Sequence, residues 1–335
     1  MRRVLIPPTL QQLPEQLPSG ELKTLSGQSM GTTWTVRFID SHQHSDKTVQ
    51  TLIQAELDLV VAQMSTWQED SNLSIFNLAT ANTWHVLPEP FFKVFNCALK
   101  VAAETDGAFD PTIGPLVNLW GFGPEGQRTS PPDAVQIKTL HHNCGWQKLQ
   151  LDKSNLRVLQ PGGVYVDFSG IAKGYSVDRI AQALQNAGIE NFLIEVGGEL
   201  YGKGIKPDGQ PWWIALETSP AAQNISESII ALHGLAVATS GDYRRYFEHH
   251  GHHYAHTIDP RTGFPVDRAH NALTSVTVLH AECMLADALA TAFTVMGVEA
   301  ALAYASQNDI AALLVEHHTE GIQEHLSPQL MAMLE

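Results

Sequence analysis

Four times in its second half the chain stops a short apolar run abruptly. GVYVDF gives way to SGIAKG and the stretch YSVDRIAQALQNAG, and NFLIEV to GGELYGKG with WWIALE beyond; LAVATS gives way to GDYRRYFE, and SVTVLH to AECMLADALATAFTVMG. Such short runs, rich in Val, Leu, Ile and Phe, read as strands, and glycines beside them supply tight turns. The element after a run is sometimes helical in pattern and sometimes another strand. The strict alternation that a doubly wound parallel sheet demands is absent. The expected fold class is α+β: mixed or antiparallel sheets with flanking helices, forming two intimately joined lobes around a cleft.

The first half fits the same class. In TTWTVRFID, Trp34, Val36 and Phe38 alternate with polar residues, the pattern of a half-buried strand. Ile53, Leu57, Val60, Val61 and Met64 recur at helical spacing, as do Phe92, Phe95, Ala98 and Val101 further on. Between and after these lie MSTWQEDSNLSIFN, rich in capping residues, and TDGAFDPTIGPLVNLWGFGP, whose Gly and Pro content predicts a long ordered loop. PEGQRTSPPDAVQ reads as a surface excursion.

Composition narrows the function classes. Among 335 residues the formal net charge is -15, which repels nucleic-acid backbones and anionic lipid surfaces. An anionic small molecule remains compatible if a metal or a ring of backbone N–H groups offsets the repulsion. Cys97, Cys144 and Cys283 are odd in number and lack a CxxC spacing, so a zinc cage or disulfide framework is not supported; buried thiols are expected, with a single disulfide as the alternative. The longest apolar region, LADALATAFTVMGVEAALAYAS, contains Asp287 and Glu299 and reads as a core helix pair or a bent helix rather than a membrane span. The N-terminus holds Pro7, Pro8, Pro14 and Pro18 and no long apolar segment. Residues 1–23 are therefore expected to form an extended arm, and the lack of an export segment predicts a cytoplasmic protein.

Two stretches carry residues suited to phosphate chemistry. In VDFSGIAKG, Ser169, Gly170 and Ala172 leave room for an anion to approach the backbone, and the N–H groups opening the next helix are unpaired and partly positive. It is neither a P-loop nor GxGxxG, and a tight strand-to-helix turn accounts for the same residues. In ECMLADALATAF, Asp287 and Thr291 are four apart and share a helix face, whereas Leu285, Leu289 and Phe293 form a different stripe. A carboxylate and a hydroxyl are hard oxygen donors, fit for Mg²⁺ when substrate phosphates complete the shell. The alternative is an Asp near a helix N-terminus with Thr291 bonding back to a carbonyl.

EHHGHHYAHTIDPRTG holds five of the sixteen histidines. No familiar zinc spacing is present, so most are expected to decorate an exposed hairpin. His256 stands apart at a strand end before a Pro-Arg-Thr-Gly turn, where its near-neutral pKa suits a general base. On the loops, Trp67 and Phe109 are placed to flank a planar ring, with Asp106 or Asp110 at its edge; packing onto a core explains them equally.

The order and wording of MGTTW, MSTWQEDSNLSIFN, TDGAFDPTIGPLVNLWGFG, VDFSGIAKGYSVD, EVGGEL, ATSGDYRRYFE, YAHTIDPRTG and ADALATAF resemble the ApbE family, FAD:protein FMN transferases. The resemblance spans about residues 24–315, leaving the 1–23 arm and a 316–335 tail outside. It implies Mg²⁺-dependent cleavage of FAD, release of AMP, and attachment of FMN through its phosphate to a Thr or Ser hydroxyl of an acceptor. Typical acceptors are subunits of a sodium-translocating NADH:quinone reductase and related electron-transfer complexes. Carried onto this sequence, the resemblance implies a metal site of the Gly170 carbonyl, the Asp287 carboxylate and the Thr291 hydroxyl. It implies a flavin and nucleotide site of Met30, Trp67, Ala108, Phe109, Asp110, Asp167, Lys173 and the Thr257–Ile258 backbone, with Glu195, Gly197 and Gly198 lining the same cleft.

Two departures qualify it. Many members carry a second carboxylate directly before the last-motif threonine, where this chain has Ala290, which favours one Mg²⁺ over two. Many members are exported or lipid-anchored, unlike the expectation above. Two other functions are compatible with the sequence: an FAD pyrophosphatase yielding FMN and AMP, and a non-catalytic flavin-binding protein.

Overall fold

The computed structural model describes residues 3–12, 16–41, 44–217, 228–268, 271–318 and 321–334. Its centre is an eight-stranded sheet. Across it the strands run Gly321–Leu326, Ala311–His318, Leu273–His280, Leu235–Gly241, Glu199–Lys203, Phe192–Val196, Thr32–Asp40 and Glu21–Ser29. Every neighbouring pair is antiparallel. The chain thus adopts the expected α+β class with predominantly antiparallel sheets. A parallel pairing joins Arg3–Leu5 to Ser228–Leu232, which is flanked in turn by Trp212–Ala215.

The central strands are nearly continuous in apolar residues because both faces are covered. Along Leu235–Gly241 and Leu273–His280, Val237 and Leu279 enter one cluster, with Leu5, Trp212, Leu313 and Leu330. Ala238, Val276 and Val278 enter the opposite cluster, under the helices. The covering of the first face comes from the chain ends together with Trp212, Leu216, Ile230 and Leu232. Within the 1–23 stretch expected to be an arm, Leu5 is buried in that cluster, while residues 1–2 and 13–15 lie outside the described residues. Within the 316–335 stretch, Gly321–Leu326 adds an outer strand to the sheet and Leu330 of the Pro328–Met331 helix is fully buried; 319–320 and 335 lie outside the described residues.

On the other face lie the helices Asp46–Met64, Ala172–Asn186 and Cys283–Met296. The first is capped by Ser45, whose hydroxyl accepts from the Thr48 N–H, and buries Val49, Ile53, Leu57, Val60 and Met64 at helical spacing. The other two behave differently. Neither Ile171 nor Glu282, at their N-cap positions, makes a side-chain cap. Each helix caps the other instead. Asp178 accepts from the N–H groups of Cys283 at 2.8 Å and Met284 at 2.9 Å. Asp287 accepts from the Gly174 N–H at 3.0 Å. Such close approach requires Gly174, where an added Cβ would lie 2.3 Å from the Cys283 carbonyl oxygen.

Two local expectations change, and one that had two alternatives is decided. The GVYVDF run forms no strand over Val164–Phe168. The Asn77 amide substitutes for a strand partner: it accepts from the Val166 N–H at 2.8 Å and donates to its carbonyl at 2.9 Å, and the Asp167 N–H donates to the Pro111 carbonyl. The Gly- and Pro-rich loop after Asp106 is partly helical, with a short turn at Pro111–Ile113 and a helix at Gly114–Leu119, because proline suits the first helical turn. The apolar region from Cys283 resolves into a helix pair, Cys283–Met296 and Val298–Gln307, broken at Gly297, whose φ is 78°. No helix of the described residues is long and apolar enough to cross a membrane.

Two outcomes test the mutual capping. Gly174→Ala should lower the free energy of unfolding by about 1–3 kcal/mol in urea titrations, the usual cost of forcing a methyl into a packed contact; an unchanged midpoint would mean that the helices separate freely. Burial raises the Asp178 pKa to about 6 against the two capping N–H groups, which act to lower it. The native state therefore holds that proton more tightly than the unfolded chain does, so Asp178 contributes less stability as pH rises. The parent's unfolding free energy minus that of Asp178→Asn should fall between pH 4 and 6, and a flat or rising difference would contradict this assignment.

Candidate active site

Two hairpin turns frame the site. Met30 and Gly31, with φ of 51° and 70°, connect Glu21–Ser29 to Thr32–Asp40; Gly197 and Gly198, at 60° and 99°, connect Phe192–Val196 to Glu199–Lys203. Two-residue turns with both φ positive match the twist of antiparallel strands. The turns adjoin because Trp34 pairs with Val196, and the Gly197 N–H donates to the Thr33 carbonyl at 3.1 Å. A Cβ at Gly197 would lie 2.8 Å from Thr32 Cγ2 and 3.4 Å from Lys173 Cδ. At Gly198 it would lie 2.6 Å from the Arg244 guanidinium. Met30 packs on the two clusters beneath the helices. Glu195 turns to its own loop and accepts from the Gly198 N–H at 2.7 Å.

An ionic cluster fills this corner. Lys173 Nζ lies 2.5 Å from Glu199 Oε1, and the Glu199 side chain is only 2% exposed. Glu199 Oε2 is buried with no hydrogen-bond partner. Burial pushes the Glu199 carboxyl above its ordinary range, against the pull of Lys173. The Lys173 pKa is raised: burial lowers it, but Asp287 and Glu199 more than compensate. Arg244 donates to the Gly197 carbonyl at 3.0 Å and pairs with Glu217, which also accepts from the Tyr243 hydroxyl.

Next to this cluster the two sequence-predicted phosphate elements meet. A Cβ on Gly170 would lie 3.0 Å from Thr291 Oγ1 and 3.4 Å from Phe109 Cε2, so turn and helix are in direct apposition there. Asp287, one helical turn from Thr291, is 5% exposed and bonded to the Gly174 N–H of the same turn. Thr294 bonds back to the Ala290 carbonyl, whereas among the described residues the Thr291 hydroxyl has no such partner. Gly170, Asp287 and Thr291 thus come together, as do Lys173 and the Gly197–Gly198 turn. The groups expected to act as donors are all oxygen: one carboxylate, one hydroxyl and a backbone carbonyl. That set suits Mg²⁺ and not a soft metal. Among the described residues no group of three His, Cys, Asp or Glu is disposed to hold a metal.

The remaining expected residues sit around this centre with unequal freedom. Asp167 is 6% exposed and accepts from the Ser169 N–H at 2.6 Å; burial raises its pKa, opposed by the Ser169 hydrogen bonds and by Arg245. Ala108 and Phe109 are buried, Phe109 against Gly170. Asp110 faces inward rather than outward to a ring edge. Its Oδ1 accepts from the Thr112 N–H and hydroxyl and its Oδ2 from the Trp146 N–H, so it holds the Ala108–Asp110 run in place. Trp67 is 62% exposed, its ring open to a planar partner.

His256 lies where its Nδ1 is 3.2 Å from the Arg245 carbonyl. A carbonyl only accepts, so Nδ1 carries the proton and Nε2 keeps its lone pair. Burial first, then the Arg245 charge, lowers the His256 pKa to about 4. The imidazole is neutral at physiological pH rather than poised at neutrality, as its residue type alone implied. Thr257 and Ile258 are buried; the Thr257 carbonyl accepts from Val266 N–H, and Ile258 pairs with Pro265. The other four histidines of that stretch, His249, His250, His252 and His253, belong to the hairpin of Tyr246–His249 and His252–Ala255. A cavity of 570 Å³ beyond it, lined by Tyr254, Asp259, Arg261, Phe264 and Met296 among others, contains none of the sequence-expected site residues.

Sequence reasoning missed Glu199, Arg244, Asn77 and Asp178. Glu199 was signalled by EVGGEL, since a two-residue turn after Val196 pairs Val196 with Glu199 and brings the second glutamate to the turn. Asn77 and Asp178 had no such signal, because their partners are 89 and 105 or more residues away.

Comparison with known proteins adds five findings. Residues 30–314 match the ApbE family. A Vibrio cholerae protein named FAD:protein FMN transferase is 42% identical over 311 residues, 92% of either chain. A Haemophilus influenzae protein of the same name is 41% identical over 301 residues, 87% of this chain and 86% of its own. Among solved structures, the flavin transferase ApbE from Vibrio cholerae superposes with a TM-score of 0.87 at 39% identity, covering 94% of this chain and 100% of that one. The apo form of the Pseudomonas stutzeri flavinyl transferase ApbE gives 0.86 at 35% identity, covering 95% and 98%.

Proposed function

This chain belongs to the ApbE family and is a transferase, and we propose that it moves FMN from FAD onto a Thr or Ser hydroxyl of an acceptor protein, releasing AMP. The observation that carries this reading is the meeting of Gly170 with Thr291, beside Asp287 and Lys173, at one corner of the fold. The Ala172–Asn186 helix begins there, and the partial positive charge of its N-terminal end favours an incoming phosphate. The names of the relatives support the same substrate and acceptor classes.

Mg²⁺ would be held by the Gly170 carbonyl, the Asp287 carboxylate and the Thr291 hydroxyl, where it would neutralise charge on the pyrophosphate. The residues of the chain then have distinct tasks. Lys173 adds fixed positive charge at the start of its helix. The Gly197–Gly198 and Met30–Gly31 turns, lacking bulky side chains at their glycines, let the ligand come close to the backbone. Trp67 offers an exposed ring face to the isoalloxazine. His256, with Nε2 unprotonated, takes the proton of the acceptor hydroxyl as its oxygen bonds to the FMN phosphorus. The phosphorus–oxygen bond to AMP breaks, and AMP leaves with that electron pair. We assign the acceptors to flavoprotein subunits such as those of a sodium-translocating NADH:quinone reductase.

Incubation with FAD, Mg²⁺ and such a subunit, followed by intact-mass spectrometry, should show the acceptor gaining an FMN mass. FMN and AMP appearing without modified acceptor would mean hydrolysis instead, and unchanged FAD would mean binding alone. Asp287→Ala should lose turnover by at least about 10²-fold while retaining its fold by circular dichroism, a loss of the size seen when a charge-stabilising group is removed; near-parental activity would remove Asp287 from the metal site. His256→Ala should still bind FAD in a fluorescence titration but transfer FMN about 10²–10⁴-fold more slowly, the range for a lost general base. In the parent, kcat/KM needs the unprotonated ring, so it should hold through pH 6 and decline only toward pH 4. An acid limb near pH 6.5, or a His256→Ala rate within a few-fold of the parent, would exclude His256 as the base.

A further inference from the structure

Glu199 is a costly residue to bury. Its carboxylate has one partner, Lys173, and a second oxygen with none, although a buried ion pair offsets its desolvation only when the remaining lone pairs are also satisfied. Stability alone gives little reason for such a group, so its effect on the neighbouring charges is the more informative question. Lys173 immediately precedes Gly174, whose N–H is bound to Asp287. The Lys173 ammonium therefore has two carboxylates within reach of its field, Glu199 and Asp287. Asp287 Oδ2 is already engaged by the Gly174 N–H. An ammonium on its remaining lone pairs would occupy the positions a divalent cation needs. Lys173 instead runs past Gly197, where its Cδ would be 3.4 Å from an added Cβ, and ends on Glu199. The other cation nearby, Arg244, is committed to Glu217 and the Gly197 carbonyl.

We propose that Glu199 is a positioning residue for the metal site: by engaging the Lys173 ammonium it keeps that ammonium off Asp287 and leaves the Asp287 carboxylate open to a divalent cation. This rests on the reading of Asp287 as a metal ligand. Removing the Glu199 charge leaves Asp287 as the carboxylate that attracts the Lys173 ammonium, so the loss in metal affinity is caused by Lys173 and disappears when Lys173 is also neutralised.

The test is Mn²⁺ binding to the full-length protein without nucleotide, read by the disappearance of the free-ion electron paramagnetic resonance signal. Parent, Glu199→Gln, Glu199→Gln/Lys173→Met and Asp287→Asn are compared, with urea midpoints to establish that each is folded. Glu199→Gln should bind Mn²⁺ about tenfold or more weakly, the range for groups that orient a ligand. The double variant should return to the parent's affinity or better. Parental affinity in Glu199→Gln, or a double variant as weak as the single one, overturns the proposal. Parent-like binding by Asp287→Asn, or no binding by the parent, overturns instead the reading of Asp287 as a metal ligand.

Discussion

The exchange of carboxylates between the Ala172–Asn186 and Cys283–Met296 helices is the contact on which the site depends. An uncapped helix start leaves N–H groups that must find acceptors, and burying such a start without them costs free energy for each orphan. Here Asp178 and Asp287 supply those acceptors across the helix pair, so the two starts are pulled together and fixed in register. Gly174 permits the distance and the alanines of ADALATA keep the second helix slim. Once that contact forms, Thr291 is carried to Gly170 because it lies one turn beyond Asp287. The apposition of turn and helix is then a consequence of helix packing rather than a separate arrangement.

The net charge of -15 weighs less on an anionic ligand than the charges at this corner do. Long-range repulsion from a charge of that size is screened over roughly 8–10 Å at physiological salt, so the local field governs binding. At this corner Lys173 is paired with Glu199 and Arg244 with Glu217, and Arg245 is close enough to act on Asp167 and His256. Arg245 is itself held by the Phe122 carbonyl, which keeps a cation beside an imidazole and lowers its pKa. The neutrality of that imidazole comes with a low proton affinity. In the proposed role of base, an imidazole with a pKa of about 4 is available at neutral pH but weak, and negative charge brought by a bound pyrophosphate would strengthen it.

Much of the architecture was legible because it is written in local patterns. The Thr32–Asp40 strand, the Asp46–Met64 and Glu89–Glu104 helices and the break at Gly297 follow from periodicity and glycine. The strand expected at Val164–Phe168 fails because apolar content there reflects burial beneath Asn77, not pairing, and periodicity cannot distinguish the two. Of the candidate site, Gly170, Asp287, Thr291 and Lys173 were visible as residue types suited to a phosphate and its metal, helped by the resemblance of eight ordered motifs. Their mutual distances were not, since these are set by helix packing across more than a hundred residues of chain. Asp110 shows the converse: a loop carboxylate that reads as a ligand contact commits both oxygens to Thr112 and Trp146.

Charge balance at the corner argues for a cation independently of any resemblance. Glu199, Asp287 and the half-exposed Glu217 face Lys173 and Arg244, so three carboxylates oppose two cations before any ligand arrives. A pyrophosphate bearing two negative charges would enter a site already short of positive charge, and helix starts contribute only partial charges of about half a unit each. Burial is the main cause that raises the Glu199 carboxyl, and the Asp287 charge adds to it against the pull of Lys173. A divalent cation would relieve the shortage of positive charge at the place where the ligand charge develops. Under the proposed function, joint entry of metal and dinucleotide is therefore favoured over either alone, because each would diminish the electrostatic cost of the other.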